Sequence, residues 1–133
     1  MTLNRRRATR RPKRASTGPG EETQMLLFHR AGARCELCAT DLSAGAPSSK
    51  HHRRPRGMGG SSTTWINDVS NLLLLCGTGT TGCHGRIESH RTAAYDAGWL
   101  LRTGFNPWEV PVVLHGHRTV YLTRDGQYAV GAP

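Results

Sequence analysis

The stretch Ser70 to His90, SNLLLLCGTGTTGCHGRIESH, decides how the chain is read. It opens with a Ser and an Asn and runs through four consecutive leucines to Cys76. It then crosses a Gly- and Thr-rich gap to Cys83 and His84. Four adjacent apolar residues ending at a Cys have the profile of a short strand covered on both faces. The gap Gly77 to Gly82 must turn, and a helix is expected from about Cys83 to Ala97, ending at Gly98.

Two upstream elements complete the pattern. Cys35-Glu36-Leu37-Cys38 is a Cys-x-x-Cys knuckle, and His51-His52 sits in Lys50 to Arg54, expected as a short strand. Structural zinc takes four tetrahedral ligands, often thiolates offered from two knuckles. Cys35, Cys38, Cys76 and Cys83 fit such a site, although the six residues between Cys76 and Cys83 exceed the usual spacing. Disulfides are the alternative. No secretory signal is visible at the basic N-terminus, which favours thiolate ligands, and a soluble, cytoplasmic protein is expected. No apolar run is long enough to span a membrane.

The chain has 133 residues, 36% of them hydrophobic and 6% aromatic. One small domain with a thin core is expected, which a metal would help to stabilise. Net charge is +9, but seven of the eighteen bases lie in residues 5–14, which hold no acid. The rest carries eleven bases against nine acids, only +2. Residues 1–20 are read as a disordered basic tail suited to DNA phosphates, weighed against a merely solubilising arm.

Residues 21–32 read as a helix that docks Met25, Leu26, Leu27 and Phe28 on the core. Trp65 is expected to anchor the far side of the Gly-rich loop Pro55 to Ser62. Trp99 to Leu101 and Val110 to Leu114 are strand candidates. Arg118 to Thr123 and Gln127 to Val130 read as a hairpin closed by Arg124-Asp125-Gly126. His115 and His117 are expected on an exposed turn, not at a third metal site. Trp99, Trp108 and Tyr121 are assigned to packing.

Neighbouring residues on a strand point in opposite directions, so one of His51 and His52 is free to ligate a metal while the other faces substrate water. Arg53, Arg54 and Arg56 follow and are read as phosphate-binding. Glu88 lies one helical turn beyond His84, either as a further ligand or as a helix-stabilising residue, with the second favoured. His90 is read as structural.

In this order, Cys-x-x-Cys, His-His, Asn-Leu-Leu-Leu-Leu-Cys and Cys-His resemble the HNH endonuclease family, in particular its small zinc-binding bacteriophage members. The resemblance spans about Cys35 to Gly98. It implies an α+β fold with a ββα-metal (His-Me finger) core, a four-Cys zinc site and a C-terminal β-hairpin. Residues 21–98 would form the zinc-stapled nuclease domain, and 99–133 a β-rich extension packed on it. It implies His52 as general base, Asn71 as the residue bracing its loop, and His51 and His84 as ligands of one catalytic divalent cation.

The implied activity is hydrolysis of DNA phosphodiesters. With two imidazoles and no Asp, Mn²⁺, Co²⁺ or Ni²⁺ are expected to serve at least as well as Mg²⁺. A monomer or weak dimer is expected, with phage terminase subunits as the partners the resemblance suggests and genome processing or packaging as its setting. The alternative is a zinc-stapled, non-catalytic DNA-binding or packaging factor.

Overall fold

The computed structural model describes residues 17–57 and 63–131. Most of the basic tail and part of the Gly-rich loop lie outside the described residues. Of the expected tail, residues 17–20 are described and carry two hydrogen bonds to the domain. The Thr17 carbonyl accepts a hydrogen bond from Asn67 Nδ2 at 2.9 Å, and the Pro19 carbonyl accepts one from Gln24 at 2.8 Å.

Helix α1 spans Glu21–Ala31. Its acids lie in the first turn, His29 and Arg30 in the last, and Gly32 ends it at φ 62°, the left-handed conformation that suits glycine. Leu27 is fully buried and Phe28 packs on the core. Met25 and Leu26 do not dock: they are 68% and 36% exposed. Four apolar residues in a row cover more than one face of a helix, and only one face meets the core.

Strands β1 (Ser48–His52) and β2 (Leu72–Cys76) pair antiparallel, with His51 opposite Leu73 and His52 opposite Leu72. Leu72 to Leu75 are all fully buried. Both α1 and the following helix α2 (Gly82–Ser89) pack on β2, so its two faces are covered, as the leucine run requires.

The expected single helix to Ala97 is two. α2 ends at Ser89 and α3 runs Arg91–Asp96, with His90 at φ −131°, ψ 59° between them. The Ser89 hydroxyl donates to the carbonyls of Gly85 and Arg86 and contacts His90 Nδ1 at 3.1 Å. A side chain bonded to carbonyls of its own last turn competes with the helical ladder at that point.

Strands β3 (Val112–Leu114), β4 (Arg118–Leu122) and β5 (Tyr128–Ala129) form an antiparallel sheet in that order. Gly126 at φ 83° closes the hairpin, and His115 and His117 lie on the turn between β3 and β4. Trp99 to Leu101 is not a strand. The amides of Trp99 and Leu100 both donate to the Ala94 carbonyl, so the segment completes the end of α3. Val112, Leu114, Val120 and Leu122 share one core with Leu27 and the β2 leucines. Trp65 packs edge-to-face on Trp108, with ring centroids 6.2 Å apart.

A buried ion pair ties these parts together. Arg30 is bidentate to Glu36 at 2.9 and 3.0 Å and also donates to the Val69 and Leu72 carbonyls. Glu36 accepts further from the Leu74 amide at 2.8 Å and the Tyr128 hydroxyl at 2.7 Å. Both charges are therefore paired and their remaining bonding capacity is used, the condition under which burial is tolerated. No helix of the described residues is long and apolar enough to cross a membrane.

Candidate metal centres and active site

The four cysteines converge. Their sulfurs all lie within 4.8 Å of one another, and Cys38 Sγ is 3.7 Å from Cys76 Sγ. A zinc tetrahedron with Zn–S of about 2.3 Å has edges of roughly 3.8 Å. All four are free thiols, so the disulfide alternative is not realised. The group could hold a metal ion such as zinc.

The wide Cys76 to Cys83 gap closes through two glycines. Gly77 (φ 85°) and Gly82 (φ 60°) lie so close that a Cβ on Gly82 would sit 2.8 Å from the Gly77 Cα and 2.6 Å from the Cys76 carbonyl oxygen. Thr78 and Thr81 bond each other's backbones inside the turn. The Cys83 amide donates to Cys76 Sγ at 3.4 Å. The loop is thus a tight turn that brings the ends of β2 and α2 together.

Cys35, Cys38 and Cys83 differ in how readily they ionise. Burial raises the Cys35 thiol, and burial followed by the neighbouring thiols raises Cys83. Burial also acts upward on Cys38, but bonds from the Thr40 hydroxyl and backbone outweigh it and bring the thiol to about 6. One thiolate is therefore accessible alone, and several together need a bound positive charge.

A second group assembles beside it. His51, His84 and Glu88 each offer a ligand atom within 4.8 Å of the others. The rings of His51 and His84 meet edge-on, with centroids 5.2 Å apart. His51 is buried, and its Nε2 lies 2.8 Å from the Trp99 carbonyl oxygen. A carbonyl only accepts, so Nε2 carries the proton and Nδ1 keeps a lone pair. Burial, opposed by that bond, lowers the His51 pKa to about 4, so the ring is neutral near pH 7. His84 Nδ1 is buried without a hydrogen-bond partner. An orphaned buried nitrogen is costly unless something fills its bonding capacity.

Glu88 makes a structural contact and also lies within ligand distance of the two histidines. It pairs with Arg91 at 3.0 Å and also faces His51 and His84. His90 lies outside this group and contacts Ser89 and the Arg86 carbonyl.

His52 lines the same cleft of about 280 Å³ as His51, His84 and Glu88, together with Lys50 and Arg56. Its Nε2 lies 2.8 Å from Asn67 Oδ1. Because Asn67 Nδ2 donates to the Thr17 carbonyl, the amide orientation is set and its oxygen faces the ring. Nε2 of His52 is then the protonated nitrogen and Nδ1 the free base. Burial lowers the His52 pKa, the Asn67 bond opposes this, and Arg56 adds to the lowering.

Asn71 is fully buried. Its Oδ1 accepts from the Arg54 amide at 2.8 Å, and its Nδ2 donates to the Ile66 and Arg54 carbonyls. It clamps the chain leaving β1 to the segment entering β2.

Arg53 does not face phosphate. It is fully buried and donates to the carbonyls of Gly98, Ser70, Pro107 and Val110. Five donors on a planar fork suit a site where several carbonyls converge. Arg54 and Arg56 are partly exposed, as phosphate contacts require.

Sequence reasoning missed Asn67, the Trp99 carbonyl and the Arg30–Glu36 pair. No spacing rule links positions 15 or 48 residues apart. Comparison with family models, with curated proteins and with solved structures finds no match to this chain.

Proposed function

We propose that the protein is a metal-dependent endonuclease of the HNH type that hydrolyses DNA phosphodiesters. One observation carries the reading. A buried, partnerless His84 nitrogen, a His51 whose other nitrogen is already bonded, and Glu88 converge in one cleft with His52.

The donor set fits a divalent cation. Metal-bound imidazoles commonly donate their second nitrogen to a carbonyl or carboxylate, as His51 does to Trp99. His51, His84 and Glu88 would hold the ion, which supplies Lewis-acid neutralisation of charge on the phosphate and leaving oxygen.

The chain's own groups perform the remaining steps. His52 Nδ1 takes a proton from water as the new O–P bond forms and the bond to the leaving oxygen breaks. Asn67 holds Nε2–H of His52 and so keeps the base nitrogen free. Asn71 holds the chain just beyond the base, bonding the Arg54 amide and the Ile66 carbonyl. Lys50 and Arg56, in the same cleft, attract the phosphodiester. The Thr17 carbonyl accepts from Asn67 beside His52, and the basic block at residues 5–14, whose charge suits DNA phosphates, precedes Thr17 in the sequence.

Supercoiled plasmid tests the reading. Nicking should require added divalent metal and should be lost in His52→Ala while the fold and zinc content are retained. Absence of metal-dependent nicking by the native chain rejects the enzyme. DNA binding without nicking would leave the zinc-stapled binding module.

A further inference from the structure

We propose that the groove beside the candidate active site binds an unpaired stretch of DNA, a substrate preference that rests on the nuclease reading. The groove, of about 610 Å³, is lined by Arg54, Arg56, Arg102 and Tyr95, with no acidic residue among the described residues of its wall. It shares Pro55, Arg56 and Gly57 with the cleft that holds His52, so a strand lying in one continues into the other.

Behind Arg102 the groove opens into a second pocket of about 220 Å³. Tyr95, Leu101 and Arg102 are common to both, and Leu100, Phe105 and Val110 complete the wall of the second. Phe105 is 54% exposed, one of the few large apolar side chains that the described residues leave in solvent. The Arg102 guanidinium lies over the Tyr95 ring, 4.2 Å from its centroid.

An arginine-lined groove joined to a pocket that carries the exposed Phe105 matches a nucleotide whose base is out of the stack. The phosphates would meet Arg54, Arg56 and Arg102, and the base would lie against the exposed Phe105. A paired duplex offers its phosphates to the arginines, but its bases are occupied and leave the apolar pocket empty. The surface therefore discriminates by strand state rather than by sequence, since every base has a stacking face.

The test uses the full chain with His52→Ala, so that bound DNA is not cut. Fluorescence anisotropy is read with a labelled 12-nucleotide single strand, the corresponding duplex, and poly-glutamate as competitor. Phe105→Ala should weaken the single strand by about tenfold, within the range of losing one stacking partner. It should leave duplex affinity within about twofold, since the tail and arginines serve both equally. Arg102→Ala should weaken both.

Unchanged single-strand affinity in Phe105→Ala, with native folding by circular dichroism, overturns the proposal. So does poly-glutamate competing as well as DNA of equal charge. Because the readout is binding, the two readings fail separately. Phe105-dependent single-strand binding without nicking removes the nuclease and leaves the groove; nicking with Phe105-independent binding removes only the groove.

Discussion

The Nε2 of His52 lies 2.8 Å from the side-chain oxygen of Asn67, whose amide nitrogen is held by the Thr17 carbonyl. One amide thereby sets both the tautomer and the direction of the ring. Asn67→Ala is expected to lower the nicking rate about tenfold to hundredfold, part of what a positioned base supplies. Asn67→Asp places a negative charge there, favouring the imidazolium and raising the His52 pKa. The base acts only when neutral, so the acidic limb of the pH–rate profile should move to higher pH. A limb that stays in place or moves down rejects this role.

A zinc site at the four cysteines would depend on the turn as much as on the thiols. Metal analysis of the native chain should give one zinc per chain held by the cysteines, and a strong chelator should unfold the domain, because site formation and folding are coupled. Gly82→Ala should reduce zinc affinity and lower the melting temperature, since a Cβ there meets the Cys76 carbonyl oxygen at 2.6 Å. Gly79→Ala, in the same loop with nothing within 4 Å, is the control and should be tolerated. Equal zinc retention in both variants counts against the turn.

Arg53 and Arg56 stand three residues apart and should behave oppositely. Arg53→Met leaves four buried carbonyls without their donor. At about 1–3 kcal/mol for each unsatisfied group, the loss should exceed roughly 3 kcal/mol in urea titration. Arg56→Ala should change stability by less than about 0.5 kcal/mol. It should also flatten the salt dependence of DNA binding by about one unit of slope. A stable Arg53→Met protein would contradict the structural role.

In the proposed metal site, Glu88 would harden a ligand set that two imidazoles alone would make soft. Glu88→Gln should therefore reduce Mg²⁺- and Mn²⁺-supported nicking more than Co²⁺- or Ni²⁺-supported nicking. Glu88→His should favour the softer ions further. A uniform loss across the metal series would assign Glu88 to its ion pair with Arg91 instead.

Most of the local structure was legible in the chain. The leucine run before Cys76 required cover on both faces and has it from α1 and α2. The Asp-Gly turn and the Gly32 helix stop follow from local backbone preference. Local rules failed where long-range bonds decide. Ser89 ends a helix by bonding back to its last turn, and Trp99 to Leu101 forms no strand because the Trp99 and Leu100 amides turn back to Ala94 while the Leu101 amide bonds the Arg53 carbonyl. Arg53 is indistinguishable from Arg54 and Arg56 in a basic run, yet its side chain is enclosed by segments up to 57 residues away.

The sequence by itself determined which residues can carry chemistry: four thiols, the adjacent histidines and a Cys-His at a helix start. Strand alternation and knuckle spacing act over a few residues, so those assignments needed no tertiary knowledge. Only the tertiary structure decided what each does. It closed the Cys76–Cys83 gap through two glycines in contact, left His84 Nδ1 buried without a partner, brought Glu88 to His51, and gave His52 its Asn67. Bonding capacity and burial belong to the packed surroundings of a side chain, and those surroundings are contributed by segments far apart in the chain.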